Sequence, residues 1–433
     1  EISLGLVGSE MCIRDRMTRT ILHSDMNNCY ASIERKLDPS LVGKRLVVCG
    51  SVEDRHSIVL AKSYEAKAFG VKTGDSLYEA KMKCPDLVAV RPHYDEYLKF
   101  SKLAHKIYYS YTNQVEPFGL DECWLDVTGS EKLFGSGEKI AHEIKERIKK
   151  ELGITVSIGV SFNKIFAKLG SDLKKPDAVT LIPKEHFKEI VWPLDTDKII
   201  GIGNKTKKKL MYMNINTLGE LAKTDVNLLK RKLGLRGLYL WQYANGYDNS
   251  EVYDYYHHDK IKSISRGVTT KADLNSYDEV KKIFEELAID VSKKLIEENL
   301  KAGGVRISIR DKNLETLSFQ KVFTETSISA LRLNDKAMEL FEERYDFKEG
   351  IRSLTISAIN LTRNTKSEQI SLFAPKQIVK DDRLEKVFNE IRNKFGKDKI
   401  GYLGLKLNNK MPEKPSVVTL PSGFRNIKQE SVS

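Results

Sequence analysis

Two adjacent carboxylates, Asp121 and Glu122, interrupt residues 116–128, a stretch that otherwise predicts two short strands with the acid pair at the bend between them. A third carboxylate, Asp25, ends an apolar run that begins at residue 20. Carboxylates suit Mg²⁺, and two-metal phosphoryl transfer needs ions about 3.5–4 Å apart. Taken alone, the acid pair also fits a solvated turn. Together with the basic chain around them, the three acids indicate a site that holds divalent metal against phosphate.

The chain has 433 residues and a formal net charge of +12. This length predicts several domains, since a domain usually spans about 100–200 residues. The basic excess favours a polyanionic partner, with nucleic acid first and an anionic membrane surface second. No apolar stretch approaches the roughly 18 residues of a membrane helix, so we expect no membrane partner.

The five cysteines are scattered and show no Cys-x-x-Cys spacing. This pattern predicts reduced thiols in a cytoplasmic protein, and neither a zinc site nor a disulfide framework. Residues 1–16 resemble the in-frame translation of a sequencing-library adapter, and we expect the natural chain to start at Met17. A secretory signal is the rival explanation, but the segment lacks a basic start and its apolar run is shorter than the roughly 7–15 residues of a signal core.

Residues 17–183 predict a mixed α/β block in which apolar strand-like runs alternate with helical stretches. The clearest of these helices is residues 138–152. The predicted strand regions are residues 20–24, 46–49, 58–61, 87–90, 115–128, 155–160 and 178–182.

Residues 184–248 predict short helices after a glycine-rich turn. Gly201 and Gly203 precede a basic helix, which is the pattern of a helix-hairpin-helix. The backbone amides and the helix N-terminus of such a motif can receive a DNA phosphate without reading bases. A plain helix turn is the alternative, and the basic side chains of Lys205 and Lys207 favour DNA. The following residues, 249–262, show no clean period and predict a linker.

Residues 263–361 predict the order strand, helix, strand, strand, helix, strand, which indicates a split βαβ layer. A capping box at residues 276–279 and an apolar stripe at i, i+3, i+4 spacing define the first helix, and the second is expected over residues 330–345. The predicted strands are residues 263–270, 305–310, 316–323 and 352–360. Six basic residues are candidates for the open sheet face, with a generic basic surface as the alternative: Arg266, Lys301, Arg306, Arg310, Lys312 and Lys321. Beyond this block, residues 382–395 predict a charged amphipathic helix.

Four segments resemble, in order and spacing, motifs of the Y-family DNA polymerases, and the bacterial DNA polymerase IV branch is the nearest. The resemblance runs from Met17 to about residue 362, which is most of the expected natural chain. The matching segments are residues 23–34, 59–74, 120–126 and 158–176.

The resemblance implies an α+β multidomain fold of the right-hand polymerase type. Its parts are a palm, small fingers, a helix-hairpin-helix thumb and a split βαβ little finger. The implied boundaries are residues 17–28 and 94–183 for the palm, 29–93 for the fingers, 184–248 for the thumb, 249–262 for the linker, 263–362 for the little finger and 363–433 for the tail.

The resemblance also implies an activity, which is template-directed DNA synthesis of low fidelity, without proofreading, that continues past lesions. Asp25, Asp121 and Glu122 match the ligands of two Mg²⁺ ions, and the main-chain oxygen of Met26 completes one site. One ion lowers the pKa of the primer 3′-hydroxyl, and the other neutralises the triphosphate and the leaving pyrophosphate. The expected triphosphate contacts are Tyr64, Lys67 and Lys175.

Tyr30 matches the steric gate of this family. Its ring is expected to lie under the nucleotide sugar and to clash with a ribose 2′-hydroxyl, although an ordinary aromatic residue at the start of a helix is the alternative. Three sites depart from the commonest motif, and one of them, Gly119-Leu120 where Ser-Ile is usual, leaves the ligands intact. Lys67 stands where arginine is common, and a lysine cannot grip a phosphate in bidentate fashion. Met26 stands where phenylalanine is frequent, which a backbone ligand tolerates.

Residues 369–373 resemble the peptide that binds the bacterial sliding clamp. Leu372 and Phe373 are expected to fill an apolar pocket of the clamp, while Gln369 makes a hydrogen bond at its rim. A short apolar strand that packs back on the preceding domain is the alternative interpretation.

The expected partners are therefore primer-template DNA, deoxynucleoside triphosphates and the sliding clamp, for a protein that acts as a monomer. Two other functions remain open at this point. A catalytically weak DNA-binding scaffold recruited by the clamp keeps the fold, but the intact acids Asp25, Asp121 and Glu122 argue against it. A nucleotidyl cyclase also uses acids on a palm-like sheet, but it has no use for a basic thumb or a clamp-like peptide.

Overall fold

The computed structural model describes residues 19–50, 57–254, 260–363 and 376–396, which form two compact units. The first unit contains the described residues up to 254, and the second contains those from 260 onward. Residues 1–16 and residues 369–373, on which the leader and clamp-peptide predictions fall, lie outside the described residues, as does the middle of the predicted linker.

The strands of the first unit form a five-stranded sheet of order β5-β6-β1-β7-β8 and a smaller sheet of order β3-β2-β4. In chain order the strands are β1 (Ile21–Met26), β2 (Leu46–Cys49), β3 (Val59–Lys62), β4 (Val88–Val90), β5 (Val115–Phe118), β6 (Glu122–Asp126), β7 (Val156–Ser161) and β8 (Val179–Ile182). Each predicted strand region is confirmed, with ends that shift by one or two residues, and residues 115–128 contain two strands.

The helices of the first unit cover both faces of the large sheet and build the smaller bodies beside it. In chain order they are α1 (Cys29–Leu37), α2 (Tyr64–Ala68), α3 (Leu77–Lys83), α4 (Tyr94–Tyr109), α5 (Glu131–Phe134), α6 (Gly137–Leu152), α7 (Lys164–Leu173), α8 (Phe187–Val191), α9 (Asn204–Met211), α10 (Leu218–Lys223), α11 (Val226–Leu233) and α12 (Leu235–Ala244). Short 3₁₀ turns at Pro39–Leu41, Thr128–Ser130 and Thr196–Lys198 connect some of them.

Strand β1 lies in the middle of the large sheet, antiparallel to both β6 and β7, and all six of its residues are buried. Its side chains alternate between the two faces. Leu22 belongs to the main core, which α4 and α6 cover, whereas Ile21 packs with Trp124 and with Ala167 of α7. A strand buried on both faces holds its last residues rigidly, and these carry Asp25.

Helix α7 lies directly on β7. A Cβ atom at Gly159 would stand 1.9 Å from the carbonyl oxygen of Ala167 and 2.5 Å from the amide nitrogen of Ser171. Only glycine permits this approach, because real side chains do not come so close to backbone atoms. The contact brings the C-terminal half of α7 against the end of the sheet where Asp25 lies.

The smaller bodies have their own cores. Strands β2 to β4 and helices α2 and α3 enclose one cluster of apolar side chains, and α2 begins at Tyr64 with Ser63 as its cap. Helices α8 to α12 enclose another, which Ile165 and Phe166 of α7 join. The turn before α9 contains Gly201 at φ +97°, a conformation that favours glycine.

The second unit is a four-stranded antiparallel sheet of order β11-β10-β12-β9 with two helices on one face, and a short β13 pairs with β10. The predicted split βαβ order is confirmed. The elements are β9 (Ile264–Leu274), α13 (Tyr277–Glu297), β10 (Leu300–Asp311), β11 (Thr316–Ser327), α14 (Ala330–Arg344), β12 (Ile351–Ile359), β13 (Thr362–Arg363) and α15 (Lys376–Phe395).

Strand β10 begins five residues before its predicted start because Gly303 and Gly304 lie inside the strand rather than in a turn. A Cβ atom at Gly303 would stand 2.6 Å from the oxygen of Asn360, and one at Gly304 would stand 2.7 Å from the oxygen of Lys321. The pairing with β11 also shifts here, between Ala302 and Gly304. Glycine in a strand therefore serves close backbone approach at this bulge.

The predicted helix at residues 382–395 is confirmed and starts earlier, at Lys376. It docks through buried polar groups. Asp382 accepts hydrogen bonds from the Ser327 hydroxyl at 2.6 Å and from the Ile328 amide at 3.0 Å, and Glu385 accepts from the Ala330 amide at 3.0 Å. These carboxylates satisfy amides at the N-terminal end of α14.

The prediction of six basic residues on one open sheet face is correct for Arg306 and Arg310 and wrong for two others. Arg266 pairs in register with Ile356, and Lys321 pairs with Val305, so both share the helix-covered face with core residues. Lys321 forms ion pairs there with Glu339 and Glu343 of α14, and Arg266 stays half-exposed because β9 is an edge strand. Lys301 lies 3.7 Å from Asp382, and Lys312 pairs with Glu349.

Candidate active site

The three predicted acids lie together at one end of the large sheet. Asp25 of β1 is the direct partner of Glu122 of β6 in the antiparallel register. Asp121 is joined to the same place by its carbonyl oxygen, which accepts a hydrogen bond of 2.9 Å from the Met26 amide. Side chains of directly paired strand residues point to the same face. The site that the sequence predicted from separate segments is therefore assembled by strand pairing.

A tight bend between β5 and β6 holds the acid pair at the sheet end. Gly119 adopts φ +82°, which a residue with a side chain rarely does, and Leu120 is buried behind the bend. The bend therefore has one apolar anchor, Leu120, and holds Asp121 and Glu122 at the end of the sheet beside Asp25.

Asp25 is nearly buried and contacts one ammonium group. The Nζ atom of Lys175 donates to Asp25 Oδ2 at 2.7 Å and also lies 2.8 Å from Asp172 Oδ1. Burial raises the pKa of Asp25, the charges of Glu122 and Asp121 add to this effect, and the result is about 7 despite the opposing Lys175. Near neutral pH this carboxyl is therefore protonated in part of the molecules and paired as a carboxylate with the Lys175 ammonium in the rest.

Glu122 has the opposite electrostatic balance. Burial raises its pKa, but the adjacent His23 imidazole and the charge of Lys168 outweigh burial and hold the pKa at about 2. Lys168 of α7 forms a short ion pair with Glu122 Oε2, and His23 Nε2 lies 3.1 Å from the same oxygen. Asp121 resembles Asp25, since burial and the Glu122 charge raise its pKa.

The donor set fits magnesium by its chemistry. It consists of carboxylate oxygens at the end of a rigid sheet, which is what this hard cation prefers. In the described parts of the chain, no three histidine, cysteine or acidic side chains form a ready-made cage for a metal ion. Lys175 and Lys168 instead supply the positive charge that the carboxylates need.

The predicted triphosphate contacts lie beside the acids. Burial raises the pKa of Tyr64, with Lys175 lowering it and Asp25 raising it, so these charges lie within electrostatic reach of its hydroxyl. Lys67 is exposed one turn further along α2, with Nζ 5.7 Å from the centre of the Tyr64 ring. The structure thus places Tyr64 near Lys67 on one side and near the Lys175–Asp25 pair on the other.

Tyr30, the predicted steric gate, lies in the first turn of α1 and is half-buried. Burial and the charge of Asp121 raise its pKa, which places it next to the acid pair. Its ring is stacked on the ring of Tyr97, with centroids 4.2 Å apart and planes 8° apart. The ring of Tyr94 is nearly perpendicular to that of Tyr30, and the two ring centroids are 6.1 Å apart.

Four residues of this region were not singled out from the sequence: His23, Lys168, Glu34 and Tyr97. His23 carried a signal, since strand alternation places it on the same face as Asp25, two residues later. Lys168 and Tyr97 lie within helices where a basic or aromatic residue is commonplace, so their spacing gave no indication. Their roles depend on which elements pack together, which pattern alone does not reveal.

The candidate DNA-binding residues of the helical body differ in their availability. Lys205 is exposed at the start of α9, whereas Lys207 pairs with Asp197 at 2.7 Å. The carbonyl oxygen of Gly201 accepts a hydrogen bond from Arg236 of α12, and this bond fixes the turn. An open cleft joins this turn to α7, with Gly203 and Lys168 both on its wall.

The remaining candidates belong to the second unit or to the tail. Arg306 and Arg310 point from β10 to the open face, where Arg306 donates to Gln320 at 2.8 Å. Arg266 lies at the sheet edge on the opposite face. Gln369, Leu372 and Phe373 lie outside the described residues.

Comparisons with known proteins point to the same family as the sequence motifs. A sequence profile of the impB/mucB/samB family matches residues 24–172, and the profile of the family's C-terminal domain matches residues 261–372. A curated DNA polymerase IV of Acetivibrio thermocellus is 47% identical over 384 residues, which is 88% of this chain and 96% of that protein. DNA polymerase IV 1 of Bacillus subtilis is 34% identical, over 88% of this chain and 91% of its own length.

A solved structure gives the same result for the fold. The Y-family DNA polymerase chimera Dbh-Dpo4(243-245)-Dbh superposes with a TM-score of 0.71 at 26% sequence identity. The match covers 80% of this chain and all of the chimera. Among the helices that the structure describes, none combines the length and apolar character needed to cross a bilayer.

Proposed function

The chain belongs to the impB/mucB/samB family, in the DNA polymerase IV branch of the Y-family DNA polymerases, and we propose that Asp25, Asp121 and Glu122 are its catalytic metal ligands. It is a DNA-directed DNA polymerase of the translesion class with a right-hand polymerase fold. The alternatives of an inactive scaffold and of a nucleotidyl cyclase are not favoured by this membership. The proposals below assign its residues, cofactor and partners.

The observation that carries the assignment is the pairing of Asp25 with Glu122 across β1 and β6, with Asp121 tied to the same strand end. Two Mg²⁺ ions, when bound, supply activation of the primer 3′-hydroxyl and neutralisation of triphosphate charge. The three side chains and the main-chain oxygen of Met26 are the protein ligands. Burial keeps competing water away from them and strengthens their interaction with cations.

Lys175 has a part in both states of the site. Without nucleotide it neutralises Asp25, at 2.7 Å. With a divalent cation held by Asp25, the Lys175 ammonium group would be available to bind a phosphate oxygen of the incoming deoxynucleoside triphosphate. Tyr64 and Lys67 bind the same triphosphate from the α2 side, since the Lys67 ammonium lies 5.7 Å from the centre of the Tyr64 ring. Tyr30 excludes ribonucleotides by contact with the sugar.

Primer-template DNA is bound by backbone contacts. The turn at Gly201 and Gly203 presents amides before α9, and Lys205 adds an exposed charge. Lys207 contributes less than Lys205, because Asp197 already balances its charge. On the second unit the open face with Arg306 and Arg310 contacts phosphates, and Arg266 contributes from the sheet edge. Contacts of this kind hold DNA without reading its sequence.

We assign the domains accordingly. Residues 17–28 and 94–183 form the palm, 29–93 the fingers, 184–248 the thumb and 263–362 the little finger. The apolar clusters of the small sheet and of the helical body support the fingers and the thumb, whereas the core of the large sheet also includes Ala31 and Ile33 of α1. Low fidelity and the absence of proofreading accompany the family assignment, and we propose that the protein works as a cytoplasmic monomer.

We further propose that the peptide at residues 369–373 binds the sliding clamp, with Leu372 and Phe373 in its apolar pocket and Gln369 at the rim. The peptide follows directly on the little-finger block in sequence, which is a suitable place for a tether. The test is clamp affinity of the double variant Leu372→Ala, Phe373→Ala. We expect a loss of at least about tenfold. Unchanged affinity would refute the assignment.

The residue assignments are tested by conservative substitution of each acid. Asp25→Asn, Asp121→Asn and Glu122→Gln keep shape but remove the negative charge that magnesium requires. We expect single-nucleotide incorporation to fall by at least about a thousandfold in each, with primer-template affinity within about threefold of the parent. An Asp→Asn variant that extends primers at the parental rate would contradict the assignment of that residue.

A further inference from the structure

Glu34 is a buried carboxylate with no role in the assignments above. It is 3% exposed, in the second turn of α1. Its oxygens accept a short hydrogen bond from the Tyr97 hydroxyl, one of 3.2 Å from the His93 amide and one of 2.9 Å from His93 Nδ1. A carboxylate withdrawn from water is stable only where such donors replace its hydration. Glu34 therefore links α1 firmly to the start of α4.

The tyrosine that Glu34 holds is the one that supports the gate. Tyr97 is fully buried, and its ring lies against the ring of Tyr30 in a nearly parallel stack. Tyr30 and Glu34 are four residues apart on α1, so they lie on the same side of the helix. The three side chains thus close a ring of contacts. The helix joins Tyr30 to Glu34, a hydrogen bond joins Glu34 to Tyr97, and stacking joins Tyr97 to Tyr30.

We propose that Glu34 is a positioning residue for sugar selection, which acts by fixing Tyr97 behind the ring of Tyr30. This inference rests on the proposed function, because it requires Tyr30 to be the steric gate. It concerns selection between deoxyribose and ribose, and it gives Glu34 no contact with substrate, metal or primer.

A steric gate is selective only if the ring that blocks the ribose hydroxyl cannot move away from it. A ribonucleotide differs by one hydroxyl, and a ring that yields by a fraction of an ångström relieves the clash. Tyr97 covers one face of the Tyr30 ring and Tyr94 meets it edge-on, which leaves little room for retreat. Tyr97 itself cannot move away while Glu34 holds its hydroxyl. Ring stacking is a weak interaction by itself, so the hydrogen bond to Glu34 adds the contact that keeps Tyr97 in place.

The contact geometry also identifies a conservative substitution. Glu34 Oε1 accepts from both the Tyr97 hydroxyl and the His93 amide, whereas Oε2 receives only His93 Nδ1. Glu34→Gln can retain the oxygen at the Oε1 position and donate from its amide to a His93 ring nitrogen in the other tautomer. Glu34→Ala leaves the buried Tyr97 hydroxyl without this acceptor.

The test is the ratio of kcat/KM for a deoxynucleotide to kcat/KM for the matching ribonucleotide, measured by single-nucleotide extension in the full chain. For Glu34→Ala we expect the ratio to fall by at least about tenfold, mostly through faster ribonucleotide incorporation. Glu34→Gln should keep the ratio within about threefold of the parent. A merely structural defect would slow both substrates alike and leave the ratio unchanged.

A matched pair of tyrosine variants keeps the test decisive if Glu34→Ala fails to fold. Tyr97→Phe and Tyr108→Phe each remove one buried hydroxyl from α4, and Tyr108 bonds Ser24 at 2.9 Å instead of Glu34. We expect a lower ratio for Tyr97→Phe and an unchanged ratio for Tyr108→Phe. Equal ratios in both variants would overturn the proposal.

The double variant Tyr30→Ala, Glu34→Ala separates this inference from the one on which it rests. If Glu34 acts through Tyr30, its removal adds nothing to the ratio once the gate ring is gone. A Tyr30→Ala variant with parental discrimination would refute the gate itself. Loss of discrimination in Tyr30→Ala, beside parental discrimination in Glu34→Ala and Tyr97→Phe, would overturn the role of Glu34 alone.

Discussion

Asp25 and Glu122 face each other as direct partners in neighbouring antiparallel strands, yet their carboxyl groups have pKa values of about 7 and about 2. Burial dominates at Asp25, whereas His23 and Lys168 together outweigh burial at Glu122. At neutral pH the carboxyl group of Asp25 is therefore partly protonated, whereas that of Glu122 is charged. One is poised to exchange a proton for a cation, and the other is held charged.

Magnesium binding should therefore be coupled to the release of a proton from Asp25. Below pH 7 this carboxyl is mostly protonated, so a metal must displace the proton, and apparent Mg²⁺ affinity should fall as pH drops. The expected slope approaches about tenfold per pH unit well below the pKa. The measurement is the Mg²⁺ midpoint for primer extension at pH 6, 7 and 8. A midpoint that does not vary with pH would show that Asp25 is charged before the metal arrives.

Lys67→Arg should strengthen nucleotide binding. Lys67 is exposed near Tyr64, and a guanidinium grips phosphate in bidentate fashion where an ammonium makes a point contact. We expect KM for deoxynucleotides to fall by roughly threefold with kcat little changed. Lys72→Arg, a change of the same chemistry at an exposed position of the same body, is the control. Equal effects in the two variants would mean that Lys67 does not contact the triphosphate.

Gly159→Ala should severely destabilise the first unit. The new Cβ atom would lie 1.9 Å from the Ala167 carbonyl oxygen, and neither β7 nor α7 can yield without displacing the end of the sheet. We expect a loss of more than about 3 kcal/mol in the free energy of unfolding, or an insoluble product. Gly129→Ala is the control, since nothing lies within 4 Å of its Cβ position. A stable Gly159→Ala variant would refute this packing.

Acid should destabilise the first unit partly through His105. Burial lowers the pKa of this side chain to about 4, whereas an unfolded histidine titrates near 6.5. Between these values the unfolded chain binds a proton that the folded chain does not, so stability falls as pH falls, by up to about 1.4 kcal/mol per unit. His105→Leu should flatten that slope.

Tryptophan fluorescence during urea unfolding measures this effect, because Trp124, Trp192 and Trp241 all lie in the first unit. His23 is buried and has a similarly lowered pKa, so part of the slope should persist in the variant. A slope identical to that of the parent would show that His105 is not buried as a neutral group.

The three acids, the order of the strands along the chain and the helix after Gly203 could be predicted from the sequence. Each depends on a pattern of neighbouring residues, such as the alternation of apolar side chains. The start of β10 at Leu300 could not be predicted, because Gly303 and Gly304 by themselves indicate a turn. Only their close approach to the neighbouring strands explains why they lie inside a strand. The face of Lys321 likewise depends on register, and one residue of shift exchanges core for solvent. Tyr97 and Glu34 could not be singled out from the sequence, because their contact exists only where α4 packs against α1.

Primer extension with Mg²⁺ and all four deoxynucleotides shows whether the acid pair makes this chain a metal-dependent translesion polymerase. Undamaged template and template with one abasic site should be compared, with Asp121→Ala beside the parent. We expect distributive extension and read-through of the abasic site by the parent, and no extension by the variant. Absence of extension by folded, DNA-binding parent protein, or extension by Asp121→Ala, would contradict it.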